Sequence, residues 1–356
     1  MRFKLMIGGL VAVLVAYAVF WFVAAHHFEN RIVEAIQERR DQGMDIRYGD
    51  LSVSGFPYRL EATFEDVHVG GQKDGLAWQV DTPRFAAVVL PWRPRHAVTF
   101  AETATLALTR DGTAAEVLTT HGMRNSVIMD GAGGPERISM TAVSLALQPQ
   151  PDAPPEWEMT NAEAHWRAAY EATALTRLFP SEDEASPKEP LQWQFAAKAQ
   201  DIAGDRLAVS PYGRVIEELQ VVMELHGAGL GPGATLQAIA AWRDNGGTVD
   251  VPSFMLKWGE LDVKLSGSVT LDRQFRLLGA LTAQVRGFEP VIDRLQQDGV
   301  IDAQEALTAK ETLGSIAGSV ENQRLTVPIT LQGGRMFVGP LPVANLQPLF
   351  EPGTEL

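Results

Sequence analysis

The 356-residue sequence contains no cysteine. That single absence excludes thiolate zinc sites, thiol nucleophiles and disulfides. Stability must come from core burial, which a chain this long can supply. Catalytic signatures are missing too. The histidines are His26, His27, His68, His96, His121, His165 and His226, and none stands in an H-E-x-x-H or comparable ligand spacing. There is no G-x-S-x-G elbow and no G-x-x-x-x-G-K-[ST] loop. Gly227, Gly229, Gly231 and Gly233 do not match G-x-G-x-x-G, and Pro232 interrupts them, so a turn is expected there rather than a phosphate cradle. The run Glu182-Asp183-Glu184 lacks an EF-hand pattern and reads as a solvated acidic stretch. No basic stripe appears, and a net charge of −14 argues against a nucleic-acid partner. These absences predict a non-enzymatic protein with no cofactor and no metal.

What is present begins at the N-terminus. Arg2 and Lys4 precede an uncharged run from Leu5 to Ala25. At 1.5 Å rise per residue, such a run crosses a hydrocarbon core of roughly 30 Å. Leu5, Leu10 and Val15 carry its apolar body, and Tyr17, Phe20, Trp21 and Phe22 gather at its C-terminal end, where amphipathic rings favour the interface. The positive-inside rule puts the first four residues in the cytoplasm and the bulk of the chain on the far, non-cytoplasmic side. A cleaved signal peptide is the competing reading, with Ala16-Tyr17-Ala18 as its small-residue site; the run is longer than the usual cleavable core of about 7–15 residues. His26-His27 is expected at headgroup level.

Phe28, Ile32, Val33 and Ile36 fall at helical spacing, which predicts a stalk helix over Phe28–Gln42 stopped by Gly43, separate from the span or continuous with it. From Asp45 the period falls from 3.6 to 2. Strands are predicted at Tyr58–Phe64, Val67–Val69, Leu76–Val80, Arg84–Leu90, Ala97–Phe100, Ala104–Thr109, Ala114–Leu118 and Ile138–Leu147, with a hairpin at Gly70-Gly71 and a turn or bulge at Gly55-Phe56-Pro57. His68, between two valines, is expected to face solvent. A proline-rich connector follows at Gln148–Glu156, then helical spacing over Glu163–Leu178 that Trp166 and Tyr170 make equally compatible with a strand. Further on, Leu261–Leu271 and Phe275–Val285 read as an antiparallel hairpin, Pro290–Gly299 and Asp302–Ile316 as two helices, and Leu325–Leu331 as a strand turning at Gly333-Gly334. The expected organisation is a cytoplasmic end over 1–4, a span over 5–25, a stalk over 26–44, a β-rich lobe over 45–150, a connector over 151–190, and a second β-rich lobe with two helices over 191–356.

The fold expected is therefore mainly β with a few helices: one transmembrane helix, then a large curved antiparallel sheet. Many strands have one apolar face, and few helices are available to cover them. The sheet must close into a sandwich or leave an open groove, and periodicity alone supports both equally. A groove on a tethered protein suits acyl chains, because each methylene leaving water gains about 0.8 kcal/mol.

Three stretches bear on this choice. They are Ser54-Gly55-Phe56-Pro57-Tyr58-Arg59, the block from Asp244-Asn245-Gly246-Gly247 through Trp258-Gly259 to Asp272, and Gly333-Gly334-Arg335 through Gly339-Pro340-Leu341-Pro342. Together they resemble a bacterial family of uncharacterised, N-terminally anchored envelope proteins, a domain of unknown function. The last two blocks also resemble the C-terminal parts of AsmA-like proteins. That wider resemblance implies an anchored, curved sheet with an apolar groove and a link to lipid movement or envelope homeostasis; it implies no catalytic residues. The reading is then a periplasmic protein that binds or moves lipid, with a groove lined by Leu261, Val263, Leu265, Phe275, Leu277 and Leu281. The alternative is a structural module with a closed β core that docks onto envelope proteins.

Overall fold

The computed structural model describes residues 2–73, 75–110, 113–150, 153–168, 191–230, 234–297, 299, 301–318, 324–339 and 341–350. The acidic run 182–184 and most of the expected connector lie outside them.

The chain divides into two compact units, Met1–Glu163 and Ala164–Leu356. The first opens with α1, Arg2–Asp41, so span and stalk are one unbroken helix. Its end follows from Gly43, whose φ of 92° suits a residue without a side chain. With Gly43 turned this way, its N–H reaches Arg40 O at 2.9 Å and the Met44 N–H reaches Arg39 O at 3.1 Å, which closes the helix in a Schellman motif.

Eight strands follow, the last running across the boundary between the units: β1 (Asp45–Arg47), β2 (Leu51–Ser54), β3 (Leu60–Lys73), β4 (Leu76–Leu90), β5 (Arg93–Arg110), β6 (Thr113–Met129), β7 (Pro135–Gln148) and β8 (Trp157–Ala168). The order is β1-β3-β4-β5-β6-β7-β8, with β2 also beside β3. The pairs from β3 to β7 are antiparallel. Residues 163–168, expected to be helix or strand, are strand.

Several expected strands merge. The expected strands at Tyr58–Phe64 and Val67–Val69 merge into one strand, β3, which begins only at Leu60, and the hairpin expected at Gly70-Gly71 lies beyond Lys73. Likewise Leu76–Val80 and Arg84–Leu90 are one strand, as are Ala97–Phe100 and Ala104–Thr109. What looked like turns are bends inside long strands. At each bend the apolar residues are spaced by three instead of two. Phe64 and Val67 line the same cavity although three positions apart, with Asp66 between them at a φ of 51°. The ladder keeps its register across the bend, with Glu65 opposite Arg84 and Val67 opposite Thr82. Ala101 and Ala104 are both buried, and the hydroxyl of Thr120 reaches the sulfur of Met123 across Gly122, whose φ is 62°. The residues on the bend are small (Thr82, Ala101, Ala104, Thr120), as crowding on the inner side of a bent sheet requires.

The second unit contains β9 (Leu191–Gly204), β10 (Val215–His226), α2 (Leu236–Asp244), β11 (Thr248–Trp258), β12 (Leu261–Leu271), β13 (Leu277–Arg286), α3 (Glu289–Gln297), α4 (Ala303–Gly318), β14 (Leu325–Gln332), β15 (Arg335–Val338) and β16 (Leu341–Asn345). From β9 to β16 the strands pair antiparallel in chain order. The expected hairpin and both expected helices are present. Asp302 and Glu305 cap α4 reciprocally, at 2.7 and 2.8 Å. Helix α2 is an addition to the expected pair. Its Trp242 lies flat on Gly247, where a Cβ would stand 2.2 Å from the indole, and its Nε1 donates to His226 O at 2.7 Å. In the Asn-Gly-Gly turn Gly246 takes a φ of 86°, and at Gly247 the tryptophan occupies the space of the missing side chain.

The strands are ordered as one open antiparallel meander of sixteen, so the closed sandwich is not the fold. Helices cover part of one face. In the second unit α2 covers Leu225 and Leu271, while α3 and α4 cover Ala283, Leu325 and Val327.

Candidate functional site

The first unit holds an apolar cavity of about 360 Å³ between α1 and the sheet. The stalk contributes Ile32, Ala35, Ile36 and Arg39, and the sheet contributes Ile46, Tyr48, Phe64, Val67, Val69, Phe85 and Ala87. Helical spacing puts the first set on one face of α1, and the bend at Asp66 puts Phe64 and Val67 on one side of β3. The aromatic wall is ordered: the Tyr48 and Phe64 rings meet edge-on at 5.3 Å, and the Phe64 and Phe85 centroids lie 6.2 Å apart. Arg40 lies over Tyr48 at 5.6 Å and donates to Ile46 O at 2.9 Å, fixing the far end of the stalk to β1.

Coverage fades away from the helix. Leu60, Ala62 and Phe64 are buried, whereas Val127, Ile138, Leu145 and Leu147 are half-exposed and Met140 is 45% exposed. The apolar face is thus roofed by α1 over the first strands and uncovered beyond them. On the opposite face His68 is not free in solvent, as expected, but held half-buried with its Nδ1 2.7 Å from Asp81 and its Nε2 3.5 Å from Asp45.

A second contact joins α1 to the sheet nearer the N-terminus. Tyr17 OH donates to Pro57 O at 2.6 Å, and Trp21 Nε1 donates to Arg59 O at 3.1 Å. The Trp21 ring meets Phe56 edge-on at 5.5 Å, and Phe22 stacks on Phe56 at 6.0 Å. Of the expected anchor residues, Leu10, Val15 and Phe20 are exposed, and Leu5 lies on the same helix. Trp21 differs, being 3% exposed against Leu60 and Val53.

The residues expected to line a groove in the second unit differ in how they are covered. Leu261 is buried. Phe275 lies on the turn after β12 at a φ of 57°, and with Leu277 it packs into the cluster around Trp242 and Leu271. Arg243 covers the Phe275 ring at 5.2 Å. Val263, Leu265 and Leu281 remain half-exposed on the uncovered middle of the sheet. The turn itself is strongly ordered. Although burial pushes the other way, Asp272 is held below the usual carboxylate range by the Arg276 side chain and by the backbone N–H groups of Gln274 and Arg276. Tyr212, whose hydroxyl donates to Gly287 O at 2.9 Å, is pushed up to about 12, chiefly by burial.

The other face of this unit carries a polar concavity of about 800 Å³, lined by Glu224, His226, Thr248, Asp250, Ser266 and Ser268 among others. His226 Nε2 lies 3.7 Å from Glu224 and 3.6 Å from Asp250. Cross-strand register puts these groups side by side on β10, β11 and β12, so the contacts tie neighbouring strands together. Among the described residues no three histidine or carboxylate groups are grouped to hold a metal ion.

The apolar cavity is the site that sequence reasoning missed. Its signal was the switch from two-residue to three-residue apolar spacing at Phe64/Val67, together with the apolar stripe of the stalk. Among known proteins, the family described as an uncharacterized protein conserved in bacteria (DUF2125) matches residues 21–347. No curated protein matches the chain.

Proposed function

The chain belongs to that bacterial family, and from this premise we propose that it is a single-span inner-membrane protein whose periplasmic bulk binds the acyl chain of a lipid, without catalysing a reaction. The observation that carries the reading is the apolar cavity under the stalk, because its roof is a direct continuation of a helix long and apolar enough to cross a membrane. A volume of about 360 Å³ lies within the usual range for ligand sites of about 300–1,000 Å³. Burying roughly eight methylenes there would gain on the order of 6 kcal/mol at about 0.8 kcal/mol each. The lining is almost wholly apolar: Arg39 contributes its stem, while its guanidinium donates to Gln42 Oε1 at 3.2 Å at the end of the stalk.

The half-exposed apolar rows beyond the roof support movement of a chain along the sheet rather than permanent storage. A closed-core docking module is the weaker reading, because no second sheet covers those rows among the described residues.

The test is lipid retention by the full chain purified in mild detergent, compared with Ala35→Trp, which fills the cavity from the helix side. Acyl lipid that co-purifies with the natural protein and falls about tenfold in the variant supports the site. Equal lipid in two well-folded proteins refutes it.

A further inference from the structure

We propose that the Gly55–Arg59 loop and the Leu90–Arg93 hairpin turn form a membrane-docking rim, seated among the phospholipid headgroups of the leaflet in which α1 ends. This rests on the reading of α1 as a membrane span. The apolar run ends at Ala25, so at 1.5 Å per residue the Cα atoms of Tyr17 and Trp21 lie about 12 and 6 Å inside that end. Both side chains hydrogen-bond the loop backbone. The loop is therefore held beside the end of the span, not above it. Shifting the span by one turn towards the N-terminus still leaves Tyr17 inside.

Irregular backbone at that depth is tolerated only where its polar groups are paired. Here much of that pairing is present. Gly55 O accepts from the N–H groups of Tyr58 and Arg59 at 3.2 and 3.0 Å, Pro57 has no N–H, and the carbonyls of Pro57 and Arg59 accept from Tyr17 and Trp21. The side chains the loop presents are the exposed Phe56 and Tyr58. Leu60 pairs with Val89, and Leu90 with Arg93, so the neighbouring turn carries the exposed Trp92 to the same end of the sheet. Strand neighbours lie about 4.8 Å apart, which gathers the three rings into one patch. Tyrosine and tryptophan are the residues that favour the headgroup level. Next to Trp92 stand the exposed Arg93 and Arg95, in a chain whose net charge is −14, and guanidinium forks match headgroup phosphates. The nearby acids are already engaged: Glu61 pairs with Arg59 at 2.7 Å, and Asp130 accepts from the Ala132 and Gly134 N–H groups.

The rim would set the mouth of the apolar face at the height of the leaflet's acyl chains, so that a lipid need not cross water to reach the sheet.

The cysteine-free chain permits a clean test. Single cysteines are placed at Tyr58→Cys, Trp92→Cys, Val15→Cys and Glu116→Cys, each in the full chain, labelled with a small fluorophore and reconstituted in vesicles of phosphatidylcholine and phosphatidylglycerol. Quenching by lipids with a nitroxide near the headgroup should be at least about twofold stronger at positions 58 and 92 than at 116, as expected for interfacial side chains. Arg93→Glu with Arg95→Glu should reduce quenching at position 58 by about twofold through repulsion from the phosphates. If positions 58 and 92 quench no more than 116 while 15 quenches from acyl-chain nitroxides, the rim is wrong and the span stands. If 15 is not quenched either, the span itself is wrong.

Discussion

The Trp21 indole donates its N–H to the carbonyl oxygen of Arg59, 38 residues further along the chain, at 3.1 Å. One side chain thereby belongs both to the apolar helix and to the end of the sheet, and its burial to 3% shows that the helix surface is interrupted there to receive the loop.

Trp21→Phe keeps the ring contact and deletes the hydrogen bond. It leaves Arg59 O unpaired at a cost of about 1–3 kcal/mol. The loop should open locally, and tryptic cleavage after Arg59 should accelerate while the far end of the first unit keeps its protection.

Asp66 has a φ of 51° in the middle of β3. Aspartate tolerates that conformation, whereas a β-branched residue does not. Asp66→Val should lower stability by about 1–3 kcal/mol, and Asp66→Gly should cost little. Denaturant midpoints for the two variants decide whether the bend is built into the backbone; equal midpoints would mean that it is not.

In the second unit Gly247→Ala drives a methyl to within 2.2 Å of the Trp242 indole. The cost should be at least about 1–3 kcal/mol, because the ring is buried and cannot swing away. Gly213→Ala, which meets no neighbour but has the positive φ of 100° that Gly247 lacks, separates backbone strain from overpacking. Near-ultraviolet circular dichroism and a denaturant curve measure both.

The turn at Asp272 should add an acid-sensitive component to stability. Its carboxyl is held lower in the folded protein than in the unfolded chain, whose value is near 3.9. Stability from this group is therefore fully present above about pH 4 and is lost as pH falls through the depressed folded value. Glu218, lowered chiefly by the Lys257 hydrogen bond, acts in the same sense. Asp272→Asn should flatten the acid limb of a stability–pH curve, and an unchanged limb would assign it elsewhere.

Much of this was legible from residue pattern. The helix stop at Gly43, the Leu261–Val285 hairpin, the cap at Asp302 and the turn at Gly333-Gly334 are local, and local chemistry announces them. The merged strands were not legible, because an apolar spacing of three looks like a turn until cross-strand register shows that the ladder runs through it. The cavity was missed for a related reason: it needs α1, β1, β3 and β4 together, and nothing near Ile32 in sequence points to Phe85. The expected row at Phe275 and Leu277 had the right periodicity but no way to foresee that α2, short and ending in Trp242-Arg243, would pack over it. Trp21 read as an interfacial anchor because its partner is a backbone carbonyl, which leaves no mark on the sequence.

The proposed acyl site is tested most directly by a phospholipid with a photoreactive diazirine in its acyl chain, incorporated with the full protein in vesicles and mapped by mass spectrometry of the cross-linked peptides. Binding under the stalk predicts adducts on Tyr48, Phe64, Val67 or Phe85 in addition to those on the span, and their loss in Ala35→Trp. Adducts confined to residues 5–25, with none on β1, β3 or β4, would contradict it.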